Sequence, residues 1–239
     1  MKILISPIND KEALAAAEGG ADIIDLKNVL EGSLGANFPW VIQSVLRRLR
    51  ARKVAFSAAI GDLDNKPGTA ALAARGAASC GVDYVKAGIY GARDVKSARA
   101  VIAAFSRAAR DVNRDVIPVA AGYGDYRSFG GLSPLALVAA AKGTGVGMVM
   151  LDTAIKNGES LFDGISIKEA QAFIDGAHRA GLKAALAGSL TSKHLEISSS
   201  LGADVIGVRG AVCAGADRRA SIQKKLVQKL VQEVRRLSR

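Results

Sequence analysis

The chain has 239 residues, 49% of them hydrophobic and only 5% aromatic, with a formal net charge of +11. That length suits one domain with a sizeable core. No apolar run approaches a bilayer crossing, and Met1-Lys2-Ile3-Leu4-Ile5-Ser6 enters a strand-like segment without a signal-peptide pattern, so a cytoplasmic protein is expected.

In chain order, strand-like runs over 2–7, 23–28, 53–60, 84–90, 115–122, 147–153, 183–189 and 205–210 alternate with helical patterns. The helices are expected over 10–19, 39–50, 68–80, 94–112, 134–142, 166–180, 191–201 and 221–237. The strand runs are mostly continuous apolar stretches, as parallel strands covered on both faces require. Several helices begin after Asp, Ser or Pro and end near Gly, the usual capping asymmetry. Eight such units in this length predict a closed (β/α)8 TIM barrel, a single α/β domain over 1–239. An open doubly wound sheet is the alternative. It would carry a Gly-rich turn after its first strand, and Ser6-Pro7-Ile8-Asn9-Asp10 is not one.

Cys80 and Cys213 stand at no metal-like spacing and read as reduced structural thiols. His178 and His194 fall in helical contexts rather than at strand ends. Neither a metal nor a cofactor is expected. The one concentration of charge, Lys224, Lys225, Lys229, Arg235, Arg236 and Arg239, interleaves with Ile222, Leu226, Leu230, Val234 and Leu237 at helical spacing. It predicts a docked amphipathic helix with a solvated basic face, so no nucleic-acid or membrane partner is expected. A homo-oligomer is left open.

A barrel places its chemistry at the C-terminal ends of its strands. Strand two delivers Asp25 and Lys27, which share a face because side chains alternate with period two. Strand four delivers Lys86, within the apolar run Tyr84-Val85-Lys86-Ala87-Gly88-Ile89, where an unpaired ammonium is costly. Strand six delivers Asp152, with Lys156 in the following loop. A lysine among such charges can have its pKa lowered and attack a carbonyl as a Schiff-base nucleophile. Gly188, Ser189, Arg209 and Gly210 end strands seven and eight, the frequent phosphate position of this fold. The connection over 29–38 is a candidate lid, with Glu31 and Asn37 as its polar members. Gly122-Tyr123-Gly124-Asp125-Tyr126 is a weaker candidate, and Gly143-Thr144-Gly145-Val146-Gly147 reads as structural.

Asp25-Leu26-Lys27-Asn28, then Glu31-Gly32-Ser33-Leu34-Gly35-Ala36-Asn37-Phe38-Pro39-Trp40, closely resembles (5-formylfuran-3-yl)methyl phosphate synthase. Tyr84-Val85-Lys86, Leu151-Asp152-Thr153 with Lys156, and Gly207-Val208-Arg209-Gly210 extend the resemblance along nearly the whole chain. The resemblance implies a lyase that condenses two molecules of glyceraldehyde 3-phosphate into a phosphorylated furan aldehyde, releasing phosphate and water, for methanofuran-type carriers. It implies Lys27 as the Schiff-base lysine and Lys86 as the proton-transfer lysine. Asp25, Asp152 and Lys156 would orient groups, exchange protons and stabilise charge. A class I aldolase of the same fold would share the lysine but release no phosphate. A non-catalytic phosphate-ligand binder would form no reducible adduct.

Overall fold

Short apolar strands that must bury both faces close into a ring in the computed structural model, which describes residues 1–237. The strands are β1 (Lys2–Ile5), β2 (Ile23–Leu26), β3 (Ala55–Leu63), β4 (Tyr84–Ile89), β5 (Ile117–Tyr123), β6 (Met148–Asp152), β7 (Lys183–Leu186) and β8 (Val205–Val208). Each pairs in parallel with its neighbours in sequence, and β1 pairs with β8 to complete the barrel. The helices are α1 (Asp10–Glu18), α2 (Pro39–Leu49), α3 (Pro67–Ala78), α4 (Val95–Val112), α5 (Pro134–Ala141), α6 (Leu161–Gly164), α7 (Ile167–Arg179), α8 (Leu195–Ser200) and α9 (Lys224–Leu237).

Local signals account for the helix starts. Asn9 accepts a hydrogen bond from the Glu12 N–H, and reciprocal capping boxes join Asp94 to Ser97 and Ser166 to Glu169. Pro39, Pro67 and Pro134 open their helices, where the missing N–H costs no helical bond. Period two then sorts the strand residues. Along β6, Val149 and Leu151 join the core beneath the helices while Met148 and Met150 fill the barrel interior. The same alternation carries Asp152 inward at the strand's end.

Several boundaries differ from those expected. β2, β7 and β8 stop early, so Lys27, Gly188, Ser189, Arg209 and Gly210 occupy the turns just beyond them. β3 runs on to Leu63 across a register shift between Ala59 and Asp62, with Gly61 at φ +113° in the irregularity. The 191–201 segment divides into a 3-10 turn, Ser192–His194, and α8.

The terminal helix docks largely as its spacing predicts, but it begins at Lys224 and Leu237 at its end is exposed. Val227, Leu230, Val231 and Val234 of α9 are buried, whereas Lys225, Lys229, Arg235 and Arg236 are exposed; Arg239 lies outside the described residues. Contact with α1 depends on Gly19, because a Cβ there would stand 2.5 Å from the Val227 Cβ. Lys224 also bonds Glu18 at 2.9 Å. Among the described residues, no helix is long and apolar enough to cross a membrane.

Each of these four buried side chains contributes about 1.5–3 kcal/mol. Together they rival the whole stability of an ordinary domain, ~5–15 kcal/mol. Ending the chain at Ala220 should therefore abolish the cooperative thermal transition followed by circular dichroism.

Candidate active site

Burying Lys86 in the barrel interior requires a carboxylate, and β2 supplies it. The Lys86 ammonium donates to Asp25 at 2.7 Å, with both side chains almost wholly buried. Asp25 also accepts from the hydroxyls of Ser6 at 3.0 Å, just beyond β1, and Ser57 at 2.7 Å, within β3. Burial alone would raise the Asp25 pKa. Lys86 and Lys27, with the Ser57 hydrogen bond, outweigh it and hold the carboxyl below its ordinary value. Asp25 stays behind Lys86, which lines the cavity at the barrel mouth.

A second pair forms across the mouth. Lys156 donates to Asp152 at 2.6 Å and to the Thr153 hydroxyl at 2.9 Å. Burial opposes ionisation of Asp152, but Lys156 and Lys27 hold its pKa well below the usual carboxylate range. Lys27 lies between these pairs and, among the described residues, has no carboxylate within 4 Å; its amine donates to the Ser33 carbonyl at 3.2 Å. Burial is the main cause that brings its pKa down to about 7. Asp152 and Asp25 oppose the shift, and Lys86 and Lys156 add to it. The crowding anticipated from the sequence is therefore present but secondary to desolvation. The arrangement leaves one lysine with a substantial neutral fraction near pH 7 between two that are held by carboxylates.

The 29–38 connection covers Lys27. Ser33 donates through its hydroxyl to the Thr153 carbonyl at 2.7 Å, and Asn37 donates to the Ile8 and Lys27 carbonyls. Asn37 is thus a structural pin, and Glu31 faces solvent beside Asn28. Phe38 and the single tryptophan, Trp40, stack at 4.8 Å where the loop enters α2. Asp62 accepts the N–H groups of Ser33 and Leu34 at 2.8 and 3.2 Å and takes a short hydrogen bond from the buried Tyr123 hydroxyl. Gly88 makes this possible, since a Cβ there would collide with that hydroxyl. Burial and then Asp62 push the Tyr123 phenol well above its ordinary pKa, keeping it a donor. Tyr123 belongs to the Gly-Tyr-Gly-Asp-Tyr motif read above as weak. In the same motif, Asp125 accepts the Ala154 and Ile155 N–H groups at 2.8 and 2.7 Å, fixing the loop that bears Lys156.

The cavity measures about 390 Å³, and its lining includes Lys27, Lys86, Asp152, Lys156, Gly188, Ser189, Arg209, Gly210 and Arg218. Gly188 is at φ +97°, and a Cβ on it would meet Thr153 at 2.9 Å, so glycine is required where β7 turns against β6. Among the described residues, the backbone N–H groups of Gly188, Ser189 and Gly210 have no protein acceptor. Arg209 departs from expectation. Its five N–H donors are committed: to Glu12 at 2.7 and 3.3 Å, and to the carbonyls of Ser6, Arg218 and Ala220. None remains for a phosphate, so Arg209 is a buried brace tying β8 to α1. Arg218, not singled out by any sequence pattern, reaches the cavity in its place. Among the described residues, no histidine or cysteine lines it. Among the described residues, no three His, Cys, Asp or Glu side chains are grouped to hold a metal.

A family profile described as 4-HFC-P synthase matches residues 3–231. The (5-formylfuran-3-yl)methyl phosphate synthase of Methanosarcina mazei is 49% identical over 98% of this chain and 99% of its own. That of Archaeoglobus fulgidus is 47% identical over 98% and 99%. That of Methanocaldococcus jannaschii is 46% identical over 96% and 98%. Among solved structures, 3-hexulose-6-phosphate synthase from Salmonella typhimurium superposes with a TM-score of 0.68 at 18% identity, covering 99% of this chain and 100% of that one. At that identity the likeness bears on the barrel alone.

Removing Arg209 would strand Glu12, buried with only the Ile8 N–H left among its non-helical partners. Breaking a buried pair in this way costs about 3–5 kcal/mol. Arg209→Ala should lower the urea midpoint accordingly, with Glu12→Gln giving a loss of the same sign.

Proposed function

The chain belongs to the 4-HFC-P synthase family, and on that premise we propose that it condenses two molecules of glyceraldehyde 3-phosphate into (5-formylfuran-3-yl)methyl phosphate through a Schiff base on Lys27, supplying the furan of methanofuran-type carriers. One inorganic phosphate and two waters leave, which balances the atoms. The observation that carries this reading is Lys27 itself: a buried amine with a pKa of about 7, with no carboxylate within 4 Å among the described residues and opening on the cavity.

The neutral Lys27 amine attacks an aldehyde carbon, and water leaves as the iminium forms. The iminium draws electrons from the adjacent C–H bond, and Lys86, once it has passed a proton to Asp25 2.7 Å away, is placed to take that C–H proton. That electron pair expels phosphate from the neighbouring carbon and leaves an enol, and the enol's own electron pair then forms the carbon–carbon bond to the carbonyl of the second triose phosphate as its O–H proton is lost. Asp152 and Lys156, 2.6 Å apart, form a donor–acceptor pair for the dehydrations and for charge developing on oxygen. The backbone N–H groups of Gly188, Ser189 and Gly210 hold a substrate phosphate.

Borohydride added during turnover should trap substrate on Lys27, located by peptide mass analysis. Lys27→Arg should abolish furan absorbance and phosphate release while leaving the fold intact; furan formation by that variant would overturn the mechanism. Lys86→Arg should slow proton transfer yet still permit trapping at Lys27. The pH dependence follows from the amine. Below about 7 it is protonated and non-nucleophilic, so kcat/KM should fall about tenfold per pH unit on the acid side.

A further inference from the structure

The cavity wall holds five cationic side chains, and four of them are accounted for. Lys86 is met by Asp25 at 2.7 Å, Lys156 by Asp152 at 2.6 Å and Arg209 by Glu12 at 2.7 Å. Lys27 has no such partner among the described residues but can relieve its burial by giving up its proton. Arg218 can do neither. A guanidinium does not deprotonate in a protein. Among the described residues, no carboxylate lies within ion-pair distance of it; its one hydrogen bond is a long one, 3.4 Å, from Nη2 to the Gly32 carbonyl. The side chain is half-buried, and its nearest compensating charges, Asp152 and Asp62, act on it only from further off. Asp217, which precedes it and also lines the cavity, is occupied with the Arg219 N–H at 2.8 Å.

The backbone beside Arg218 is unusual in the same place. Among the described residues, two non-glycine residues have positive φ, Ser189 at 48° and Ala216 at 59°, and both line this cavity. Left-handed conformations in such residues cost of order 1–3 kcal/mol and gather at ligand sites. The 214–218 turn also leans on the β8 end: a Cβ at Gly210 would stand 3.2 Å from the Ala216 carbonyl. A permanent cation thus shares this cavity with a strained turn and, among the described residues, with backbone N–H groups that have no protein acceptor.

We propose that Arg218 is the cationic half of the substrate-phosphate site, its guanidinium closing over a phosphate whose other oxygens take the N–H groups of Gly188, Ser189 and Gly210. The inference rests on reading the cavity as a triose phosphate site, and it adds a coupling. Arg218 touches Gly32, and the next residue, Ser33, places its carbonyl on the Lys27 amine. Phosphate seated on Arg218 therefore bears on the loop that covers the nucleophile.

Glycerol 3-phosphate, which has the phosphate but no carbonyl, separates this inference from the covalent chemistry. Titrated calorimetrically, its affinity should fall about 10- to 100-fold in Arg218→Ala, as loss of hydrogen bonds to a charged group predicts. Arg218→Gln is the second variant should the alanine form melt early. Borohydride trapping supplies the other readout. The variant should slow adduct formation with glyceraldehyde 3-phosphate at least about tenfold more than with unphosphorylated glyceraldehyde. Unaltered glycerol 3-phosphate affinity in a folded variant would overturn the proposal, as would equal slowing with both aldehydes. Arg218-dependent binding by a wild-type protein that forms no adduct would sink the Schiff-base reading and leave this one standing.

Discussion

An ammonium group can be buried in a barrel only if something balances it, and that requirement organises the whole mouth of this protein. Asp25 exists at the end of β2 for Lys86, and Asp152 at the end of β6 for Lys156. The lysine between them has no carboxylate partner within 4 Å among the described residues, and it carries its proton loosely. Desolvation does most of this, which explains why the apolar character of the surrounding strands matters to the chemistry as much as the charges do. A single unpaired amine among paired ones is differentiated by environment, not by residue type.

Holding that environment dry falls to the 29–38 loop, and the loop is held by groups on three other strand ends. Asp62 grips two of its N–H groups, Thr153 receives its serine, and Asn37 reaches back to Ile8. Asp62 is in turn steadied by Tyr123, through space that Gly88 leaves open. Contacts from β3 and from the segments just beyond β1 and β6 thus converge on the segment that caps β2, with β5 steadying Asp62 from behind. The register shift in β3 has its use here, because it extends that strand far enough to bring Asp62 opposite Gly88.

Much of this was legible before any coordinates. Period two in the strands and the alternation of units fix the barrel, and with it the convergence of Asp25, Lys27, Lys86, Asp152 and Lys156. Asp25, Lys27 and Asp152 are readable because each stands at the end of an apolar run and Lys86 because it interrupts one, where a charge is conspicuous; Lys156 follows four residues after Asp152. The rest was not, for a physical reason. Whether an arginine faces a ligand or a carboxylate depends on what packs against it, and Glu12 lies far from Arg209 in sequence, on the first turn of α1. Its neighbour in space, Arg218, sits in a turn with no periodicity to reveal where it points. Asp62 falls beyond a bulge that no hydrophobic pattern signals, so its pairing with Tyr123 is a tertiary fact.

The stacking of Phe38 on Trp40 has a practical side. The chain's one indole is attached to the end of the segment that roofs the nucleophile, and it is largely exposed to water. Its emission therefore arises from a single known position, beside the element that must admit and release substrate. The protein carries its own optical probe of that passage, readable in a stopped-flow instrument without a label.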